Sequence, residues 1–340
     1  MRLNLCVRHF HSRRETHGRR TMSAGIGTEP ARAKLPANGG AFAYFAPLGI
    51  MLHVKANHPR LVEAVACACR GWEAPADPQG PTIQLSLQVG PVPVSGNGPV
   101  VETQGCQLSI RGDVEARADA VRGQAWCRVA HADAFDDPAF RETVLDCLIL
   151  WLLTRHGRTP IHASGFIAGH SAILLAGRSG SGKSCLALAA HRAGFRLLSD
   201  DTVYLETERR LRIWGVPRPV HLFPEDAPGH REAPIRLRNG KRKRAVLLPT
   251  PTQPVTAGAA SLCVLQRGER VAIEPLAPSA ARRLLKPLEP GFALLSREIE
   301  AGLARITRRG AWRLTLSADP DEAIALLAAN LPRLIERAAA

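Results

Sequence analysis

The sequence predicts an α/β protein in which a larger mixed domain follows a small, mainly β module. Three observations predict this class. A glycine-rich loop stands between a buried apolar strand and an Ala/Leu-rich helix, and a second apolar strand after that helix ends in two aspartates. In the N-terminal half, Thr82–Val89 alternates apolar and polar residues, as a half-buried strand does.

The N-terminal 135 residues divide into a polar tail and the β-rich module. Residues 1–40 are polar and rich in Gly, Pro and Ala, so we expect them to be disordered. Residues 1–21 hold six Arg against one Glu and lack the apolar run of a secretory signal, which makes Met22 an alternative start. Over residues 41–135, short strand patterns and one amphipathic helix predict a small module without a recognisable chemical motif.

The glycine-rich loop fits G-x-x-x-x-G-K-[ST], the pattern of the nucleotide-binding P-loop. Residues 172–176 before it predict a buried strand and residues 185–193 after it a helix, which is the context the loop requires. Glycines there let backbone N–H groups surround phosphate oxygens at the positive end of the helix. The residues expected to bind ATP are Gly177, Arg178, Ser179, Gly180, Ser181, Gly182, Lys183 and Ser184.

Two side chains of this loop have distinct expected roles. Lys183 would neutralise the β- and γ-phosphates, and the Ser184 hydroxyl would bind Mg²⁺. ATP and Mg²⁺ are therefore the expected cofactors. Cys185 follows directly; a helix N-terminus can lower a thiol pKa, but we expect a small packing residue.

A pair of carboxylates, Asp200 and Asp201, begins sixteen residues after Ser184, where the next strand pattern ends. One such carboxylate can hold Mg²⁺ or its waters, which we assign to Asp201. The other can accept a proton from an attacking hydroxyl. A Ser-Asp-Asp turn or helix cap is the alternative, and the loop, helix and strand before it favour the catalytic interpretation. His162, fifteen residues before Gly177, is either a buried core histidine or a site residue.

Three segments together resemble one known family. They are Pro160–Ala163, Gly177–Ser184 and Gly194–Asp201. They are similar to the bacterial HPr kinase/phosphorylase family, and most of all to its HPr-kinase-related members of peptide maturation, including lasso-peptide precursor kinases. The resemblance implies a P-loop kinase core of the HPr kinase/phosphoenolpyruvate carboxykinase type, which we expect over residues 136–335.

The resemblance also implies roles for individual residues. Asp200 would accept the proton of a substrate serine with the support of His162, and Lys183 would steady the phosphates. The family's glutamate-bearing metal segment has no clear counterpart in residues 211–220. The expected partner is a peptide or small protein that bears a serine, and assembly into a homo-oligomer stays open.

The expected function is thus an ATP-dependent serine kinase. The rival class is a nucleotide switch or assembly protein that hydrolyses ATP and phosphorylates nothing. The tandem aspartates favour the kinase. A nucleotide switch usually carries its acidic residue after a run of four apolar residues (the Walker B strand), and no such run precedes Asp200.

The charge and cysteine content bear on the remaining classes. The hypothesis of a nucleic-acid-binding ATPase is supported only by the net charge of +15. Basic residues are concentrated in the N-terminal tail and in the run Lys241–Arg244, and elsewhere they are dispersed along the chain, as is usual for a solvated surface. We interpret that run as a basic loop, either solvated or binding an acidic peptide or ATP phosphates. The eight cysteines include no C-x-x-C pair and no apolar stretch is long enough for a membrane span, so we expect a cytoplasmic protein.

Overall fold

A computed structural model describes residues 40–72, 74, 82–93, 98–206, 210–216, 218–238, 241–249, 254–285 and 295–339. The tail for which we expect disorder lies, except for Gly40, outside these residues. The chain groups into two compact units that divide between Arg155 and His156. Within the described ranges, no helix has the length and apolar character needed to span a membrane.

The first unit is built on a mixed sheet. Its strands are β1 (Ala41–Phe45), β2 (Met51–Ala56), β3 (Thr82–Val89), β4 (Val100–Gln104), β5 (Gln107–Arg111), β6 (Val114–Asp119) and β7 (Gln124–Val129). Their order across the sheet is β1-β2-β3-β7-β6-β5-β4. The pairs β2–β3 and β3–β7 are parallel, and the other neighbours are antiparallel. Helix α1 (Pro59–Ala68) buries Leu61, Val62 and Val65 against β1 and β2.

A helical segment closes the first unit. It consists of α2 (Pro138–Arg141), a π-helical turn at Glu142–Asp146 and α3 (Cys147–Thr154). We expected the second domain to begin at residue 136, whereas this segment groups with the first unit. The physical reason is packing: α3 lies on β6 and β7, and Trp151 Nε1 donates a 3.0 Å hydrogen bond to the Cys106 carbonyl.

The second unit contains a larger mixed sheet and a small one. Its strands are β8 (Arg158–Ala168), β9 (Ser171–Ala176), β10 (Arg196–Ser199), β11 (Thr202–Glu206), β12 (Arg212–Trp214), β13 (Val220–Leu222), β14 (Ile235–Arg238), β15 (Lys241–Val246), β16 (Thr256–Ala257), β17 (Ala259–Arg267), β18 (Ala272–Leu276) and β19 (Ala311–Leu316). Its helices are α4 (Lys183–Arg192), α5 (Pro278–Leu285), α6 (Ser296–Ile306), α7 (Pro320–Ala329) and α8 (Leu331–Ala339).

Among the described strands, the large sheet has the order β16-β12-β11-β8-β9-β17-β19-β18, with β10 also paired to β8. Strands β9, β17 and β19 are parallel, and the other pairs are antiparallel. Helices cover both faces. Leu174 of β9 belongs to the apolar core that α5 and α6 share, while Ile173 and Leu175 belong to the core of α4, α7 and α8. Burial on both faces explains why β9 is a continuous apolar run.

The small sheet corrects one expectation. Its order is β13-β15-β14, and the basic run Lys241–Arg244 lies on β15 instead of forming a loop. The run is a strand because β15 pairs on both sides, and because Ala245 and Val246 at its end are buried. The long basic side chains can cover apolar surface with their aliphatic stems while their charged ends stay in water.

Candidate active site

The glycine-rich loop, residues 177–182, joins the end of β9 to the start of α4. Gly180 and Gly182 have φ angles of +86° and +103°, a region that side chains other than glycine rarely adopt. A Cβ atom on Gly177 would lie 2.8 Å from Ser181 Oγ and 3.3 Å from Leu265 Cβ. The backbone therefore needs glycine at all three positions, and it forms the tight turn that a phosphate-binding loop requires.

Lys183 is buried at the first turn of α4 and points back at the loop. Its ammonium donates hydrogen bonds to the carbonyl oxygens of Gly177 at 2.8 Å and Arg178 at 3.2 Å. A positive charge is thus held against the loop, where phosphate groups would need it. Ser184, next on α4, is half-buried, while Arg178, Ser179 and Gly180 are exposed.

The two aspartates lie at a junction between strands. Strand β8 pairs with β10 along one half and with β11 along the other, and Asp200 and Asp201 connect those two strands. The Ser164 hydroxyl on β8 donates a hydrogen bond to the backbone carbonyl of Asp200, which fastens the junction. Because Ala163 pairs with Ala176, this part of β8 lies beside the end of β9, where the glycine-rich loop begins.

The Asp200 carboxylate is 3% exposed and has an asymmetric environment. Its Oδ2 accepts a 2.9 Å hydrogen bond from the backbone N–H of His221 and lies 3.8 Å from the His221 Nδ1. Its Oδ1 is buried and has no hydrogen-bond partner among the described residues. Leaving such an oxygen unpaired costs about 1–3 kcal/mol, a cost that a donor from a ligand would remove.

His162 and Asp201 form the outer part of the site. Their Nδ1 and Oδ1 atoms are 3.6 Å apart, and the Asp201 side chain is half exposed whereas that of His162 is largely buried. Burial lowers the pKa of His162 most, the Asp201 carboxylate opposes that shift, and the Lys183 ammonium adds to it. The neutral imidazole is therefore favoured. Asp200, Asp201 and Lys183 therefore all lie within electrostatic reach of His162.

Two residues of this site were not predicted. His221 follows directly after residues 211–220, and no local sequence pattern distinguishes it from a core histidine. Arg267 ends β17, which runs parallel beside β9. Because parallel strands end at one edge of the sheet, this pairing brings Arg267 to the edge where the glycine-rich loop begins, and no local sequence pattern identifies it.

Arg267 stands beside the start of α4. One guanidinium nitrogen lies 3.2 Å from the place that a Gly182 Cβ would occupy, and the other donates a 3.1 Å hydrogen bond to the Ser317 carbonyl. A cavity of about 160 Å³ opens here, lined by Gly182, Cys185, Leu186, Asp226, Arg267 and Leu316 among others. It is continuous with the glycine-rich loop through Gly182 and offers a cation to a bound anion.

The environment of Cys185 differs from that of a reactive thiol. Burial, followed by the charge of Asp226, raises its pKa to about 11. Desolvation and a nearby carboxylate therefore outweigh the lowering that a helix N-terminus produces.

The side chains of the site that could bind a metal ion are single oxygen ligands on separate elements. The described part of the chain holds no group of three or more His, Cys, Asp or Glu side chains arranged for a metal ion. Mg²⁺ needs no such cage, because it keeps several waters and takes one or two protein oxygens together with phosphate oxygens. The Ser184 hydroxyl and the half-exposed Asp201 carboxylate fit that requirement.

Comparisons with known proteins find similarity to solved structures only at the level of three-dimensional structure. No family model and no curated protein matches the sequence. Among solved structures, the Hpr(Ser) kinase/phosphatase from Coxiella burnetii matches with 13% sequence identity and a TM-score of 0.27. The match covers 52% of this chain and 99% of that one.

Proposed function

We propose that this chain is an ATP- and Mg²⁺-dependent kinase that transfers the γ-phosphoryl group to a serine of a peptide or small protein. The observation that carries the proposal is the buried Asp200 carboxylate. One of its oxygens is held by the His221 N–H, and the other has no partner among the described residues. A carboxylate poised in this way beside a glycine-rich loop is what a general base for a hydroxyl acceptor requires.

The loop residues supply binding in this proposal. Backbone N–H groups of residues 177–182 and the Lys183 ammonium would hold the β- and γ-phosphates, with Arg267 contributing a second cation from β17. Ser184 and Asp201 would hold Mg²⁺, which neutralises charge on the phosphate oxygens when bound.

Asp200 would act on the acceptor. As the seryl oxygen forms its bond to the γ-phosphorus, the bond from that phosphorus to the bridging oxygen breaks and ADP leaves. The seryl proton passes to Asp200 Oδ1, which later releases it to solvent. The His221 N–H keeps the carboxylate oriented, and the neutral His162 beside Asp201 adds no competing positive charge. Positioning and charge neutralisation supply most of the rate enhancement.

The direct test uses the purified full chain with radiolabelled ATP, Mg²⁺ and the peptide products of neighbouring open reading frames. We expect label on a serine of one peptide, and loss of that label in Lys183→Ala. Asp321→Asn is the matched surface control, because the Asp321 side chain is exposed and its ion pair is with Arg192, another exposed residue. ATP hydrolysis without labelled peptide would instead identify a nucleotide switch and overturn the proposal.

The Lys183→Ala variant requires a stability measurement of its own. The lysine makes two hydrogen bonds to loop carbonyls, so its removal also affects the loop itself. We expect the variant to remain folded, with a cost of about 1–3 kcal/mol in the free energy of unfolding. A variant that unfolds and refolds like the original chain but still transfers phosphate at the original rate would exclude this loop as the ATP site.

A further inference from the structure

The basic strand β15 presents two lysines on one face. Lys241 and Lys243 are two residues apart, so their side chains leave the strand on the same side. Both ammonium groups lie over the ring of Phe223, with Nζ 5.8 Å and 5.3 Å from the ring centroid. An aromatic ring under two ammonium groups orders them while leaving their charge unneutralised. We call Lys241, Lys243 and Phe223 the lysine face.

The positive charge of the lysine face is not neutralised by the described residues around it. Neither ammonium forms an ion pair with a carboxylate within the described part of the chain. Arg244, by contrast, is committed to structure, since its guanidinium donates to the carbonyl oxygens of Arg231 at 2.5 Å and Ala233 at 3.1 Å. Lys241 is exposed and Lys243 is half-buried, so both can meet an external anion.

The lysine face is connected to Asp200 through β13. Phe223 directly follows β13, and His221 of β13 donates its backbone N–H to the Asp200 carboxylate. Strand β13 pairs with β15, which sets Ala245 opposite His221. The Lys243 ammonium also acts electrostatically on His162, so its charge reaches the candidate site. A chain that delivers a serine to Asp200 would therefore pass close to the lysine face.

On the basis of the proposed kinase function, we infer that the acceptor is an acidic segment whose Asp or Glu side chains, flanking the serine, bind Lys241 and Lys243. The charges are complementary, and the whole chain carries a net +15 that favours encounter with an acidic partner. This recognition is separate from the phosphate contacts of the glycine-rich loop.

A binding measurement tests the inference without requiring phosphoryl transfer. Two fluorescein-labelled peptides serve as probes: Ala-Glu-Glu-Asp-Ser-Asp-Glu-Glu-Ala, and its neutral counterpart with Gln for Glu and Asn for Asp. Fluorescence anisotropy with the full chain, Mg²⁺ and a non-hydrolysable ATP analogue gives the affinity for each. We expect the acidic probe to bind about tenfold more tightly, with the difference shrinking as salt is added.

Variants locate the effect. Lys241→Gln combined with Lys243→Gln should abolish the discrimination between the two probes. Arg282→Gln combined with Arg283→Gln removes the same charge from α5 of the same unit and should retain it. Thermal unfolding checks that both double variants are folded, as expected for exposed and half-buried side chains.

Two outcomes would overturn the inference. Equal affinity of the original chain for both probes would show that the lysine face does not select acidic segments. Reduced affinity of the lysine double variant for the ATP analogue, with unchanged peptide discrimination, would assign the two cations to nucleotide phosphates. Failure of the kinase proposal has a different signature, since it removes labelled product and leaves the anisotropy measurement unaffected.

Discussion

The backbone N–H of His221 donates a 2.9 Å hydrogen bond to Oδ2 of Asp200, a residue 21 positions earlier in the chain. The bond holds one carboxylate oxygen and leaves Oδ1 buried without a partner among the described residues. A backbone donor does not depend on pH or on a side-chain rotamer. It therefore keeps the carboxylate in one orientation while the other oxygen stays available for a proton.

The two aspartates should separate binding from phosphoryl transfer. Asp200→Asn keeps the side-chain shape and an oxygen for the His221 N–H, so ATP affinity should be unchanged while transfer falls about 10²–10⁴-fold. Asp201→Asn should weaken Mg²⁺-dependent ATP binding instead, because an amide is a poorer ligand for a hard cation. Isothermal titration calorimetry and phosphopeptide formation measure the two effects. Transfer at the original rate by Asp200→Asn would refute the role of this residue.

Arg267 should contribute to nucleotide affinity. Replacing it with Gln removes the cation beside Gly182 and should weaken ATP binding about tenfold, the scale of one charge-assisted hydrogen bond. Arg270→Gln is the matched control, because Arg270 is exposed in the turn between β17 and β18. Affinity is measured by calorimetry with Mg²⁺ and ATP. Equal affinities for the two variants would place Arg267 outside the nucleotide site.

Gly215 should tolerate no side chain. A Cβ there would lie 2.0 Å from the Leu198 carbonyl oxygen and 3.0 Å from Leu198 Cδ1, two residues before Asp200. Gly215→Ala should lower the free energy of unfolding by about 3 kcal/mol, because backbone must move to admit the methyl group. At Gly258 no atom beyond the neighbouring residues lies within 4 Å of an added Cβ, so Gly258→Ala should change the free energy of unfolding by less than about 0.5 kcal/mol. Urea unfolding compares them, and similar midpoints would contradict this packing.

Cys185 should be a slow thiol with an unusual pH profile. Its pKa is raised to about 11, so the neutral thiol predominates throughout the range from pH 8 to pH 10, and the small thiolate fraction rises about tenfold with each pH unit. Alkylation of Cys185 by iodoacetamide, followed by peptide mass spectrometry, should keep accelerating from pH 8 to pH 10. At pH 8 it should be about two orders of magnitude slower than that of N-acetylcysteine, which has an ordinary thiol pKa. A rate that levels off near pH 9 would contradict the raised pKa.

The sequence alone determined the local parts of the fold. The strand, loop and helix over residues 171–192 could be predicted because apolar period, glycine positions and helix propensity are encoded in consecutive residues. The same holds for Thr82–Val89, whose alternation predicts β3 with the bounds that the structure has. The aspartate pair was likewise expected at a strand end, and β10 ends at Ser199.

The tertiary structure decided which distant residues meet. The packing of β13 brings His221 to Asp200. The parallel pairing of β17 with β9 places Arg267 beside the glycine-rich loop. The basic run forms strand β15 because it pairs with β13 on one side and with β14 on the other. The helical segment before β8 belongs to the first unit because α3 packs against β6 and β7. Such contacts depend on hydrogen bonding and packing between segments far apart in the chain, and local propensity carries no information about those partners.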